Sequence, residues 1–323
     1  MSLIEKALAK LQASRRTQQP ELNVPRVTPM VERVVGRERE ALEVTVVPGG
    51  RRREIIGNPS KTVRIDYDAL RQNGLLPPEH QQRELAHQYR NLKRPLIKHA
   101  FQPDAIKTAS RTASPRLIMV TSALPGEGKT FTSINLALSL AMEKDHSVLL
   151  VDGDVARPRA SHSFGVDTEP GLLDLLGDPH GVVDSLVLPT DVPGLSILPV
   201  GRRSEMANEM LASARMREVI LQLERLDPQG LVVVDSPPIL LTSEARVLAS
   251  LFGQVVLIVK ASSTPQQAVT EALGMIGEGP WIGLVLNQAT HDEAAGSYYG
   301  YRYGYVYGDE GFASAAKAGA VKS

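Results

Sequence analysis

Six residues, Ala123, Leu124, Pro125, Gly126, Glu127 and Gly128, lead directly into Lys129 and Thr130. Residue types in this order suit the binding of a polyphosphate. Glycines let the backbone wrap an anion, so that successive N–H groups and the start of a following helix point at the phosphates. A lysine placed as Lys129 is neutralises the β- and γ-phosphates, and a hydroxyl placed as Thr130 is can hold Mg²⁺. The usual eight-residue pattern starts with glycine, and Ala123 stands there instead. Pro125, Gly126, Glu127, Gly128, Lys129, Thr130 and Phe131 are therefore the expected nucleotide contacts.

Three carboxylates follow apolar runs and are candidates for the same chemistry. Asp152 and Asp154 come after Leu149, Leu150 and Val151; Asp235 comes after Leu231, Val232, Val233 and Val234. If these runs are parallel strands, all three acids lie on the rim that carries the phosphate loop. Asp235 then reaches Mg²⁺ directly or through water, together with Thr130 and Asp152. Mg²⁺ on a nucleotide keeps several waters, so one carboxylate stays free as a base. Lys129, Asp152 and Asp154 are the expected catalytic groups, with Asp152 the first candidate for the base. Taken without the loop, an Asp-Gly-Asp run after a strand is equally a turn signal.

The acceptor candidates lie at the other end of the chain. Of eight tyrosines, six fall within ten residues: Tyr298, Tyr299, Tyr301, Tyr303, Tyr305 and Tyr307. By composition such a cluster is a stacking surface or a low-complexity segment. Beside a nucleotide site it becomes a set of phosphoacceptors. A tyrosine hydroxyl ionises only near about pH 10, so attack on a γ-phosphate gains from a carboxylate that takes its proton. From Asn287 to Tyr301 is 14 residues, at most roughly 50 Å of extended chain. That length reaches the chain's own site or a neighbour's.

The elements that must position these groups are legible as alternating strands and helices. Short apolar, β-branched runs at 117–121, 148–152, 195–199, 231–235, 255–259 and 282–287 read as buried parallel strands. Helical patterns occupy 130–141, 209–226, 243–251 and 265–276. The expected fold is α/β: a doubly wound, mostly parallel sheet with its ligands at the carboxyl ends of the strands. This P-loop domain is expected over 109–290. A largely irregular or helical region precedes it, and a flexible tyrosine-rich tail follows over 291–323.

Before the domain, residues 61–108 read as a helical adaptor. Its stretch 84–94 is expected to be a surface helix for oligomer contacts, with Leu85, Tyr89 and Leu92 on one side. Residues 1–60 read as an amphipathic helix (Leu3, Ile4, Ala7, Leu8 and Leu11) followed by a linker, and hold 11 Lys or Arg against 7 Asp or Glu. The whole chain of 323 residues is 42% hydrophobic and 22% charged, with a formal net charge of zero. That balance offers no general attraction for nucleic acid. The chain has no cysteine, which excludes disulfides, thiolate metal sites and cysteine nucleophiles. No apolar run approaches the roughly 20 residues of a membrane span, so a cytoplasmic protein is expected, peripheral to a membrane through a partner.

Taken together, the loop, the Asp152/Asp154 motif, the Asp235 motif and the tyrosine cluster resemble the bacterial tyrosine kinases (BY-kinases). The resemblance points in particular to the exosortase-associated autokinases of exopolysaccharide systems, and runs over roughly residues 84–307. Segments 171–176 and 207–216 are similar to stretches of that family. The run Gly283 to Asn287 resembles its last strand, which implies that Asn287 lies near the base. The resemblance implies ATP- and Mg²⁺-dependent autophosphorylation of the tyrosine cluster, other protein tyrosine substrates and homo-oligomers. It also implies activation by a separate membrane-embedded chain-length regulator. Two positions depart from the family: Ala156 stands where an arginine is common, with Arg157 next to it. In the oligomerisation motif, His87 and Lys93 flank Arg90 in place of Glu and Arg. The alternatives are a partitioning-type ATPase, which would carry a lysine where Leu124 stands, and a nucleotide-sensing regulator without kinase activity.

Overall fold

The computed structural model describes residues 61–102 and 113–289; the amphipathic pattern of residues 3–11 and all six clustered tyrosines lie outside them. Seven strands form one sheet: β1 (Leu117–Ser122), β2 (Val148–Asp152), β3 (Leu188–Pro189), β4 (Leu195–Leu198), β5 (Leu231–Asp235), β6 (Gln254–Lys260) and β7 (Trp281–Asn287). Their order is β3-β4-β2-β5-β1-β6-β7, and every pairing except β3 with β4 is parallel. The sheet is the doubly wound one expected, with the phosphate-loop strand β1 between β5 and β6. Strand β3 has no counterpart in the sequence reading. It is a two-residue antiparallel edge ending in Pro189, too short to show a periodicity.

Helices cover both faces, and alternate residues of each strand feed separate cores. Leu117, Met119, Leu149, Val151, Val232 and Val234 face one layer. That layer is built from α5 (Leu172–Gly177), α6 (Ala207–Leu211), α7 (Ala214–Leu226), α8 (Ser243–Ala249) and α9 (Gln266–Ile276). Ile118, Val120, Leu150, Val233, Val256 and Ile258 face the other. Here lie α1 (Tyr67–Gln72), α2 (Gln82–Phe101) and α3 (Lys129–Ala141), with the short α4 (Arg159–Ser163) at the rim. Strands buried on both faces have no polar side to alternate, which is why they read as unbroken apolar runs. The single helix expected over 209–226 is two. Ser213 interrupts it, and its hydroxyl accepts the Met216 N–H at 3.2 Å to start α7 afresh.

Residues 61–101 contribute to the second core. Val63, Ile65, Leu70, Leu75, Tyr89, Leu96 and Ala100 are buried together with the inner face of α3. Val63 also pairs with Thr190 beside the sheet edge. Helix α2 is accordingly only half a surface helix. Tyr89 is buried as the Leu85/Tyr89/Leu92 pattern requires, but Lys93 is buried too. Its Nζ donates to the Ser139 carbonyl at 2.6 Å and pairs with Glu143 at 2.7 Å. The lysine thus closes the carboxyl end of α3, while Arg90 is exposed.

Candidate active site

The phosphate loop spans the gap between β1 and α3. Gly126 (φ +80°) and Gly128 (φ +97°) both take left-handed conformations, which favour glycine. At Gly128 space is closed as well, because a Cβ there would sit 2.0 Å from Asn287 Nδ2. Ala123 is fully buried in the core and is not among the positive-φ residues. Its methyl group therefore meets no backbone conflict, and the departure from glycine is harmless.

Lys129 and Thr130 open α3 and line a cleft of about 1120 Å³ together with Pro125, Gly126, Gly128 and Phe131. The cleft is large enough for a nucleotide. Its opposite walls come from Gly74, Leu75 and Leu85 of the amino-terminal segment, from Pro237 and Pro238 after β5, and from Leu286 and Asn287 of β7. Asn135, on the buried side of α3, donates to the Leu75 carbonyl at 2.8 Å and so ties that wall to the loop helix.

The three acids converge as the parallel strands require. Asp152 and Asp235 sit side by side, in register on β2 and β5. Both are fully buried. Asp152 Oδ2 accepts the Ser161 N–H at 2.7 Å, and Asp235 Oδ1 accepts the Ser133 hydroxyl at 3.0 Å. The second oxygen of each, Asp152 Oδ1 and Asp235 Oδ2, is buried without a hydrogen-bond partner. Burial, with the Asp235 charge beside it, pushes Asp152 up to about 8. Burial pushes Asp235 up to about 6, held lower by the Thr130 and Ser133 hydroxyls and the Lys129 ammonium. Two orphaned carboxylate oxygens at adjacent strand ends, next to Thr130, are a donor set that fits Mg²⁺. Among the described residues no group of three or more His, Asp or Glu is arranged to hold a metal alone.

Asp154 differs from its neighbour in placement. It lines the cleft, with Oδ2 3.9 Å from Lys129 Nζ and Oδ1 accepting the Arg157 N–H at 3.1 Å. Burial raises its pKa, and the Lys129 charge opposes the rise. The candidate base of the sequence reading, Asp152, is enclosed behind it. Arg157 and Arg159 also line the cleft, and both are exposed.

Two expected nucleotide contacts have other engagements. Glu127 is 2% exposed and its carboxylate turns into the protein. Oε2 accepts the Leu124 N–H at 2.9 Å and Oε1 accepts the Thr264 hydroxyl. Asn287 lines the cleft, and its Nδ2 donates to the Glu127 carbonyl at 2.8 Å. Sequence reasoning missed Ser133, Ser161, Thr264 and Asn135. Serine, threonine and asparagine are common in helices and turns, and only the folded placement distinguishes these four.

A parallel sheet, a glycine loop feeding a lysine-led helix and acids on the flanking strand ends define a P-loop protein. The chain belongs to the AAA domain family, which matches residues 115–276. Over this domain its relatives are bacterial tyrosine-protein kinases. It is 31% identical over 193 residues to the tyrosine-protein kinase Ptk of Acinetobacter johnsonii, covering 59% of this chain and 26% of that one. It is 32% identical over 207 residues to EpsB, a proposed tyrosine-protein kinase of Ralstonia solanacearum, covering 62% of this chain and 27% of that one. The chain thus spans about a quarter of the length of these relatives. Among solved structures, the VpsO kinase domain aligns with a TM-score of 0.52 at 28% identity, covering 66% of this chain and all of that one. Among the described residues no helix is long and apolar enough to cross a membrane.

Proposed function

We propose that this chain is an ATP- and Mg²⁺-dependent tyrosine autokinase that phosphorylates its own carboxyl-terminal cluster, Tyr298, Tyr299, Tyr301, Tyr303, Tyr305 and Tyr307. The observation that carries the reading is the buried Asp152–Asp235 pair, with an orphaned oxygen on each, beside Lys129 and Thr130. In this reading the loop N–H groups and Lys129 bind the β- and γ-phosphates. Thr130, Asp152 Oδ1 and Asp235 Oδ2 would hold Mg²⁺, directly or through water. When bound, the ion neutralises phosphate charge and keeps the transferring group in line.

Asp154 replaces Asp152 as the preferred base, because it faces the cleft. A tyrosine hydroxyl directed at the γ-phosphorus gives its proton to the Asp154 carboxylate as the new O–P bond forms. The bond from the γ-phosphorus to the bridging oxygen breaks, and ADP leaves with that electron pair. Burial favours this role, since a carboxylate with a raised pKa is a stronger base. Lys129, 3.9 Å away, opposes that rise and favours the ionised carboxylate.

The kinase names of the relatives support a protein substrate, and the tyrosine cluster supplies one on the same chain. Self-association, and a membrane-embedded regulator of polysaccharide chain length as activator, complete the proposal. They would place the protein at the cytoplasmic face of the inner membrane. Purified protein incubated with Mg-ATP tests the reading. Phosphotyrosine that forms in the wild type and is lost in a folded Lys129→Met variant supports the kinase. ADP release without phosphotyrosine would mark a partitioning-type ATPase, and nucleotide binding with neither would mark a sensor.

A further inference from the structure

Three segments meet behind the phosphate loop in a closed ring of hydrogen bonds. Glu127 of the loop accepts the Thr264 hydroxyl through its carboxylate. The turn carrying Thr264 is fastened to β7, where the Ala261 N–H donates to the Asn287 carbonyl at 2.8 Å. Asn287 returns to the loop, its Nδ2 donating to the Glu127 carbonyl at 2.8 Å. The Thr264 hydroxyl also accepts the Lys260 N–H at 3.0 Å, which fixes the direction of its own proton toward Glu127. A further bond runs from Gln288 Nε2 to the Gly126 carbonyl at 3.2 Å.

A carboxylate this deeply enclosed is held only if its oxygens are satisfied. Glu127 meets that need with the Leu124 N–H on one oxygen and Thr264 on the other. The Leu124 bond draws the first part of the loop back over its last part, and Thr264 decides where the glutamate sits while it does so. The loop geometry that would present N–H groups to phosphate thus depends on a residue 137 positions away, outside the loop and outside the cleft lining.

We propose that Thr264 is a positioning residue of the phosphate site, acting through Glu127 to hold the loop in its phosphate-receiving shape. The inference rests on the nucleotide-site reading above. It makes three demands that a merely space-filling threonine would not meet. The hydroxyl, not the methyl group, must matter; serine must substitute; and the effect must vanish once Glu127 has lost its carboxylate.

The test is equilibrium binding of a fluorescent ADP analogue with Mg²⁺ to the full chain, with thermal melting alongside. Thr264→Val is expected to weaken binding about tenfold, the loss of one hydrogen bond to a buried charged group. Thr264→Ser should bind within about twofold of wild type. Thr264→Ala serves as the second hydroxyl-less variant should the valine, which sets a methyl group against the Glu127 carboxylate, fail to fold. Glu127→Ala and the Glu127→Ala/Thr264→Val double variant should bind equally weakly, since neither retains the link. Wild-type affinity in a hydroxyl-less variant would overturn the inference, as would a serine variant as weak as valine, or additive losses in the double variant. Absence of binding by the wild type would instead remove the nucleotide reading itself.

Discussion

Replacing Asp152 with asparagine should make the ligand-free protein more stable at alkaline pH. Burial and the adjacent Asp235 raise Asp152 from 3.8 to about 8. Between those values the native state keeps a proton that the unfolded chain has released. Stability therefore falls as pH rises through this window and levels off above it. Each pH unit costs at most about 1.4 kcal/mol, so the span from pH 5 to 8 amounts to a few kcal/mol. For a domain of this size that corresponds to a fall in Tm of roughly 10 °C. An asparagine keeps an acceptor for the Ser161 N–H and carries no charge to repel Asp235. In scanning fluorimetry from pH 5 to 8.5, Asp152→Asn should show a shallower decline and a higher Tm than wild type at pH 8. With Mg²⁺ and nucleotide the ranking should reverse, because the wild type offers the ion a carboxylate oxygen and the variant does not. An unchanged pH slope, or an asparagine variant less stable than wild type at pH 8, would refute the electrostatic reasoning.

Two further outcomes follow from the packing around the loop. Gly128→Ala combines a left-handed backbone with a Cβ 2.0 Å from Asn287 Nδ2. It should reduce ADP affinity by at least tenfold, while Gly126→Ala, strained but with nothing within 4 Å, should cost less; titration calorimetry compares them. Asn135→Ala removes the donors to the Leu75 and Phe131 carbonyls and should destabilise by about 1–3 kcal/mol. Hydrogen exchange should show that loss first in residues 67–76.

Much of this was legible in the sequence because buried parallel strands leave little else for their residues to do. The runs at 148–152 and 231–235 coincide with β2 and β5 to the residue, and the loop was recognisable from strand, glycines, lysine and helix together. The pairing of Asp152 with Asp235 was not legible in detail. The strands are about eighty residues apart, and only the sheet order makes them neighbours. The part played by the Glu127 side chain was not legible for a related reason: position alone places the residue in the phosphate loop, and only its burial shows that the carboxylate braces the loop from behind. Lys93 lies in a stretch that reads as a surface helix, and only the fold shows its ammonium buried against the carboxyl end of α3.

In the proposed reaction the transferred phosphoryl group ends on the chain's own tyrosines. Intact-mass analysis of the protein after incubation with Mg-ATP decides this, comparing wild type with a variant carrying Phe at positions 298, 299, 301, 303, 305 and 307. One or more added phosphoryl groups are expected on the wild type and none on the variant, with ADP-analogue binding equal in the two. Equal phosphorylation of both proteins would contradict it.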